Sequence, residues 1–177
     1  MRIIPLCFLL RLAGDSLNNV RVRLATRSDL VAICGIEEDS FLDPYPQALL
    51  SRLLREHTNH FLVAEISGRL VGYCVSSKDG SLAHLISIGV LREYRKRGIG
   101  SALIQTLLAE IGPRVRELWL EVNAGNEEAI RFYEGFDFRR VMIIDNYYAD
   151  GAAALRMRLT LDGKVEDHAS SSRRHLV

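Results

Sequence analysis

Cysteine is scarce in this 177-residue chain, charge of either sign is not in excess, and no apolar run is long. Cys7, Cys34 and Cys74 are odd in number and lack CxxC spacing, which argues against a disulfide framework and a cysteine-rich zinc site. No metal is expected, and a reducing cytoplasm is the simplest compartment. Lys and Arg number 23 against 22 Asp and Glu, so the net charge of +1 gives no global reason to expect nucleic acid or a membrane as partner. The apolar run Ile3 to Leu10 is far too short to span a bilayer, and no small-residue cleavage pattern follows it. It reads either as an extra element packed on the domain or as a start codon placed upstream of the true one. Two nucleotide motifs are also missing. A Walker A loop needs Lys ahead of its Ser or Thr, whereas Ser101 directly follows Gly100; a Rossmann fingerprint needs a third glycine where Leu103 stands.

What is present describes one domain. A chain 48% apolar and 25% charged is ordinary for a globular protein. The domain is expected over 20–160, after an extension at 1–19 and before a polar, mobile tail at 161–177. VRVRL at Val20 to Leu24 alternates as a half-buried strand. Ser28-Asp29 caps a predicted helix whose Leu30, Val31, Ile33, Cys34 and Ile36 form a core-facing stripe, with Glu37 to Asp39 ending it. The two prolines of FLDPYP, Phe41 to Pro46, stop regular structure and stiffen a loop that reads as a packed turn or the wall of a pocket. A second helix is predicted over 47–56. Strands at Phe61 to Ile66 and Leu70 to Ser76 are joined by a short hairpin loop, and His84 to Val90 makes a third antiparallel strand. A helix over 98–111 and a strand over 117–122 then favour a parallel pair through a crossover. The fold class is therefore α/β with a mixed sheet.

The stretch HLISIGVLREYRKRGIG, His84 to Gly100, carries the chemistry. An apolar strand runs into three consecutive cations, Arg95, Lys96 and Arg97, then Gly98, Ile99, Gly100 and Ser101 at the start of a helix. Glycines permit close approach, and the first-turn amides of a helix lack intrahelical acceptors, so the segment forms an anion cradle whose natural occupant is a phosphate. A solvated basic cap remains the alternative for the loop taken alone. Strands ending near 90 and 122 both point at this helix start, where ligands of such sheets bind. Asn126 and Tyr133 stand seven residues apart on a further helix, about 10 Å along one face.

RKRGIG resembles the pyrophosphate loop of the GCN5-related N-acetyltransferases. LEVNAGNEEAIRFYEGFDF, Leu120 to Phe138, together with FLDPYP and the segment DNYYADG at Asp145 to Gly151, is similar to the protein N-terminal acetyltransferases, including RimI-like ribosomal-protein enzymes and archaeal enzymes of broad specificity. The resemblance covers about residues 20 to 160. It implies direct transfer from acetyl-CoA to the α-amine of protein N-termini, nascent chains or ribosomal proteins among them, by a monomer or weak homodimer. It implies that the backbone of Ile88, Gly89 and Val90 holds the pantetheine amides, that 95–101 hold the pyrophosphate, and that Asn126 and Tyr133 flank the arm. Acetyl transfer needs an unprotonated amine, a stabilised oxyanion and a proton for the thiolate. Glu121 is the candidate base, His84 a second candidate, and Tyr133 the candidate acid. A solvated Glu121, a structural His84 and a packed Tyr133 are the simpler readings of each residue alone.

Phe41, Asp43, Tyr45, Tyr147 and Tyr148 are the expected acceptor wall, although hairpin tyrosines also serve as cross-strand pairs. Two departures from the family pattern stand out: Asp137 where glycine is usual, and Ala152 to Ala154 where acidic residues are frequent. Transfer to lysine or a small amine, and a non-catalytic acyl-CoA-binding subunit, are the alternative readings.

Overall fold

The computed structural model describes residues 20–161; the expectations for 1–19 and for the tail beyond 161 lie outside the described residues. Seven strands form one sheet, β1 Val20–Leu24, β2 Phe61–Ile66, β3 Arg69–Asp79, β4 Leu82–Val90, β5 Glu117–Asn123, β6 Arg139–Ile144 and β7 Ala154–Thr160, in the order β1-β2-β3-β4-β5-β7-β6. Four helices complete it: α1 Leu30–Ser40, α2 Gln47–Glu56, α3 Ile99–Glu110 and α4 Glu127–Glu134. The mixed α/β architecture is the one expected, down to a single parallel contact between β4 and β5. The β2–β3 loop is Ser67-Gly68, with φ of 50° and 81°, the two positive values that match the twist of a two-residue hairpin.

The sheet separates two cores. One face carries Leu103, Ile104 and Leu107 of α3 against Leu62, Cys74, Leu85, Leu118 and Leu120. The other carries Ile33 and Ile36 of α1 and Leu50, Leu53 and Leu54 of α2 against Phe61, Val63, Tyr73 and Val75. β5 shows why it can serve both layers: Leu118, Leu120 and Val122 are buried, whereas Glu117, Trp119, Glu121 and Asn123 face the other way, half-buried.

Two details of α1 correct the reading from sequence. Of the expected Ser28-Asp29 cap, Asp29 does stand at the N-cap of α1, but the capping box lies one turn earlier: Thr26, not Ser28, caps the 3-10 turn Arg27–Asp29, with Asp29 accepting from the Thr26 amide at 2.7 Å. Val31, expected in the core stripe, is 78% exposed, and Glu37, expected at a solvated end, is only 2% exposed. The helix is rotated so that a carboxylate takes an inward position, which apolar periodicity alone cannot reveal. After α4 the chain turns through Asp137 at φ 66°, so this aspartate does adopt the left-handed conformation usually left to glycine.

Candidate active site

The site starts from a failure of pairing. β4 and β5 pair only at Leu82↔Glu117, Ala83↔Leu118 and His84↔Trp119. Just beyond, the β3–β4 register shifts between Val75 and Ser76, a bulge that bends β4 away from β5. Among the described residues the β5-facing backbone of β4 from Ile86 to Val90 therefore has no strand partner. Such an open edge suits a linear ligand with its own amides.

The α3 end of this slot is cationic. Gly98 stands at φ 80° as the cap of α3, and the first bond of the helix runs from Ala102 N to Gly98 O at 2.9 Å, leaving the preceding amides without intrahelical acceptors. Lys96 also sits at positive φ, 60°, the kind of strained backbone found at binding loops. The cations are individually tethered. Arg95 Nε donates to Val90 O at 3.0 Å, the Arg97 guanidinium lies 5.3 Å from the Tyr94 ring centre, and Lys96 pairs with Glu128 at 3.6 Å. Gly100 serves packing as well as ligand approach, since a Cβ there would stand 3.3 Å from Phe132 Cζ. An open edge, unpaired helix amides and three cations together fit a diphosphate carrying a pantetheine arm.

Where the strands part, His84 and Glu121 meet. His84 Nε2 is 2.6 Å from Glu121 Oε2, and Arg156 Nε donates to Glu121 Oε1 at 2.7 Å. The carboxylate is 8% exposed, the imidazole 42% and the Arg156 side chain 37%, so the group presents its histidine and its arginine to solvent and keeps the carboxylate between them. Arg156 comes from β7, directly opposite in register (Glu121↔Arg156), and with Arg158 it also lies over the Trp119 ring, at 5.9 and 5.4 Å. Sequence reading missed Arg156. In ALRMRLT the alternation marks Arg156 and Arg158 as sharing a face, yet nothing local says which strand will lie beside them.

Both expected acceptor loops converge here. Burial raises the Tyr45 phenol, with Tyr147, Glu37 and Glu121 adding to the shift; burial likewise raises Tyr147, with Glu121 adding and Arg156 opposing. Tyr148 is pushed up to about 12 by burial, with Tyr147, Glu121 and Tyr45 among its neighbours. The Tyr147 and Tyr148 rings stack edge to face at 5.1 Å, and both amides donate to Ala152 O at 3.1 Å. Phe41 and Asp43 lie on the exposed rim of the α1–α2 loop, beside Leu42, which is 99% exposed.

On the other side of the sheet, Asn126 caps α4 by accepting from Ala129 N at 3.0 Å, which commits its side-chain oxygen to the helix. Tyr133 packs edge-on to Phe132 and Phe138, and burial, with Cys74 and Tyr148 adding, holds its phenol well above the usual range. Tyr133 thus stays protonated at any working pH. Val90 O is engaged by Arg95 and, at 3.4 Å, by Ser40 Oγ, which ties this end of β4 to α1 and to the basic loop. Among the described residues no cluster of His, Cys, Asp or Glu could hold a metal, and no helix is long and apolar enough to cross a membrane.

Comparison with known proteins converges on the same chemistry. An N-alpha-acetyltransferase of Sulfolobus acidocaldarius is 33% identical over 157 residues, covering 81% of this chain and 94% of that protein. The [ribosomal protein bS18]-alanine N-acetyltransferase of Escherichia coli K12 is 31% identical over 122 residues, covering 68% and 82%. The crystal structure of Ard1 from Thermoplasma volcanium superposes with a TM-score of 0.78 at 31% identity, over 81% of this chain and 98% of that one. The Acetyltransferase (GNAT) family pattern matches residues 30–138, more than half of the 177-residue chain. With acetyl-CoA as its acetyl donor, the protein belongs to the acetyltransferase (GNAT) family.

Proposed function

We propose that this protein acetylates the α-amino group of protein N-termini, ribosomal proteins and nascent chains among them. The observation that carries the reading is the His84–Glu121 pair, seated where β4 and β5 separate and overhung by Tyr45, Tyr147 and Tyr148. The amine nitrogen forms a bond to the acetyl carbon as the carbon–sulfur bond breaks. His84, oriented by Glu121, accepts the amine proton directly or through one water; the Val90 amide faces the developing oxyanion, and Tyr133 lends a proton to the departing thiolate. The histidine–carboxylate arrangement holds one tautomer and stabilises the imidazolium that forms.

The acceptor class follows from acidity. An α-amine has a pKa of about 7.7–8.0 against about 10.4 for lysine, so at neutral pH its free base costs about 1 kcal/mol and that of lysine about 5 kcal/mol. A partly exposed histidine is a base matched to the first task. The named activities of the Sulfolobus and E. coli relatives support the same assignment. The test is thiol release from acetyl-CoA with peptides varied in their first two residues, each paired with an N-blocked copy containing an internal lysine. Turnover on free N-termini only is expected. Turnover on blocked peptides would reassign the acceptor to lysine, and silence on both with acetyl-CoA bound would point to a small amine or a binding subunit.

A further inference from the structure

Glu37 is a buried carboxylate that the chemistry above does not use. Two groups donate to it directly, and a third joins through one of them. The Tyr45 amide, in the α1–α2 loop, donates to Oε1 at 3.0 Å; the Tyr73 hydroxyl, on β3, donates to Oε2; and Ser87 Oγ, on β4, lies 2.7 Å from that same hydroxyl. With the phenol proton directed at the carboxylate, Ser87 is the donor to Tyr73. Among the described residues no cation pairs with Glu37, and burial raises its pKa. A buried, unpaired acid is a poor device for stability, since an apolar side chain of similar size commonly does as well or better.

Its neighbours on α1 complete a fastening. Asp39 Oδ2 accepts from the Arg92 amide at 2.6 Å, and Asp39 O accepts from Arg92 Nε at 2.7 Å. Ser40 Oγ reaches Val90 O at 3.4 Å. Between these contacts a Cβ on Gly89 would stand 2.9 Å from Tyr73 Cε1 and 3.1 Å from Ser40 Oγ, so the end of α1 rests directly on the cofactor strand. Glu37 extends this fastening into the loop beyond, at the backbone of Tyr45, whose phenol is within electrostatic reach of Tyr147 and Glu121.

We propose that Glu37 is a positioning residue for the acceptor: through Tyr73 and Ser87 it ties the Phe41–Pro46 loop to β4 and sets the height of Tyr45 above Glu121. The proposal rests on the reading that this loop lines the acceptor side. It predicts a split between the two substrates. In Glu37→Ala the acceptor KM rises about tenfold, the loss of one buried hydrogen-bonding network, while the acetyl-CoA KM stays within about twofold. Glu37→Gln restores the acceptor KM to within about threefold, because the amide oxygen still accepts from Tyr45 and its NH2 donates to Tyr73, which turns its own proton to Ser87. Steady-state kinetics with both substrates varied, on variants checked for folding by their thermal midpoint, reads this out. If Glu37→Ala does not fold, Tyr73→Phe keeps the ring packing on Phe61 and decides alone: a raised acceptor KM with a flat acetyl-CoA KM supports the proposal, and two flat values overturn it. An unchanged acceptor KM in Glu37→Ala, a parallel rise in both KM values, or no rescue by Gln also overturns it. The wild-type enzyme on free and blocked peptides tests the N-terminal reading before any variant is made, so the two failures remain distinct.

Discussion

His84 Nε2 and Glu121 Oε2 stand 2.6 Å apart across the last pairing level of the parallel strands, although 37 residues separate them in the chain. The carboxylate has both oxygens engaged, one by the imidazole and one by Arg156. In the proposed reaction the carboxylate orients His84, and the histidine takes the proton of the incoming amine.

Glu121→Gln exchanges the ionised partner of both His84 and Arg156 for a neutral amide. The expected result is a fall in kcat of about 10²–10³, with acetyl-CoA affinity held within about twofold, measured by steady-state thiol release and by calorimetric titration of acetyl-CoA. His84→Ala is expected to fall in the same range, and the double variant to be no worse than either single, as for groups that act as a unit. Additive losses would mean that the two residues serve separate steps.

Arg156→Ala leaves Glu121 Oε1 without its partner and frees the carboxylate to swing. A drop in kcat of about tenfold is expected at unchanged acetyl-CoA affinity, with Arg156→Lys recovering only part of it because the directed Nε–H is lost. Equal kcat in wild type and Arg156→Ala would show that strand pairing alone positions Glu121.

Tyr133→Phe tests the proton for the thiolate. Burial holds this phenol above the usual range, so it stays protonated and kcat should show no loss from its ionisation as pH rises to about 10. The variant is expected to lose about tenfold to a hundredfold in kcat, with its thermal midpoint close to that of the wild type because the ring packing on Phe132 and Phe138 remains.

Asp29 ties part of the fold's stability to pH. Its carboxylate is held down to about 2 by the hydrogen bond from Arg23, against burial, with the Thr26 amide and hydroxyl adding. A folded-state pKa below the unfolded value of about 3.9 gives stability that is complete above about pH 4 and is lost as pH falls through about 2. Asp29→Asn should therefore cost about 2 kcal/mol at pH 7, and the gap to wild type in urea unfolding should close between about pH 4 and 2. A gap that stays constant with pH would assign the effect to the capping geometry alone.

Much of this was legible along the chain. The strand Phe61–Ile66 and the helix Gln47–Glu56 fall where their periodicity placed them, and RKRGIG announced the helix cap at Gly98 because glycine and cations before an apolar helix have a local meaning. Glu121 could be placed on the half-buried face of β5 because strand alternation is a period of two. Other features were not legible. β7 inserts between β5 and β6, a pairing between segments distant in sequence, and only that insertion brings Arg156 opposite Glu121. Glu37 read as a helix end since charge usually seeks water; its burial depends on Tyr73 and on a loop amide that no periodicity predicts.

The sequence by itself determined the elements from Val20 to the helix ending near Gly135, the candidate anion cradle and the residue types the proposed reaction needs, because these are properties of contiguous segments: spacing, capping and turn chemistry. Tertiary structure alone decided which of those residues meet. The β3–β4 register shifts at Val75/Ser76, next to where β4 and β5 cease to pair; the β5-β7 register supplies Arg156; and the buried Glu37 accepts from the Tyr45 amide and the Tyr73 hydroxyl. Each is a contact across long loops, fixed by strand register and packing, and such contacts have no signature in the residues on either side of them.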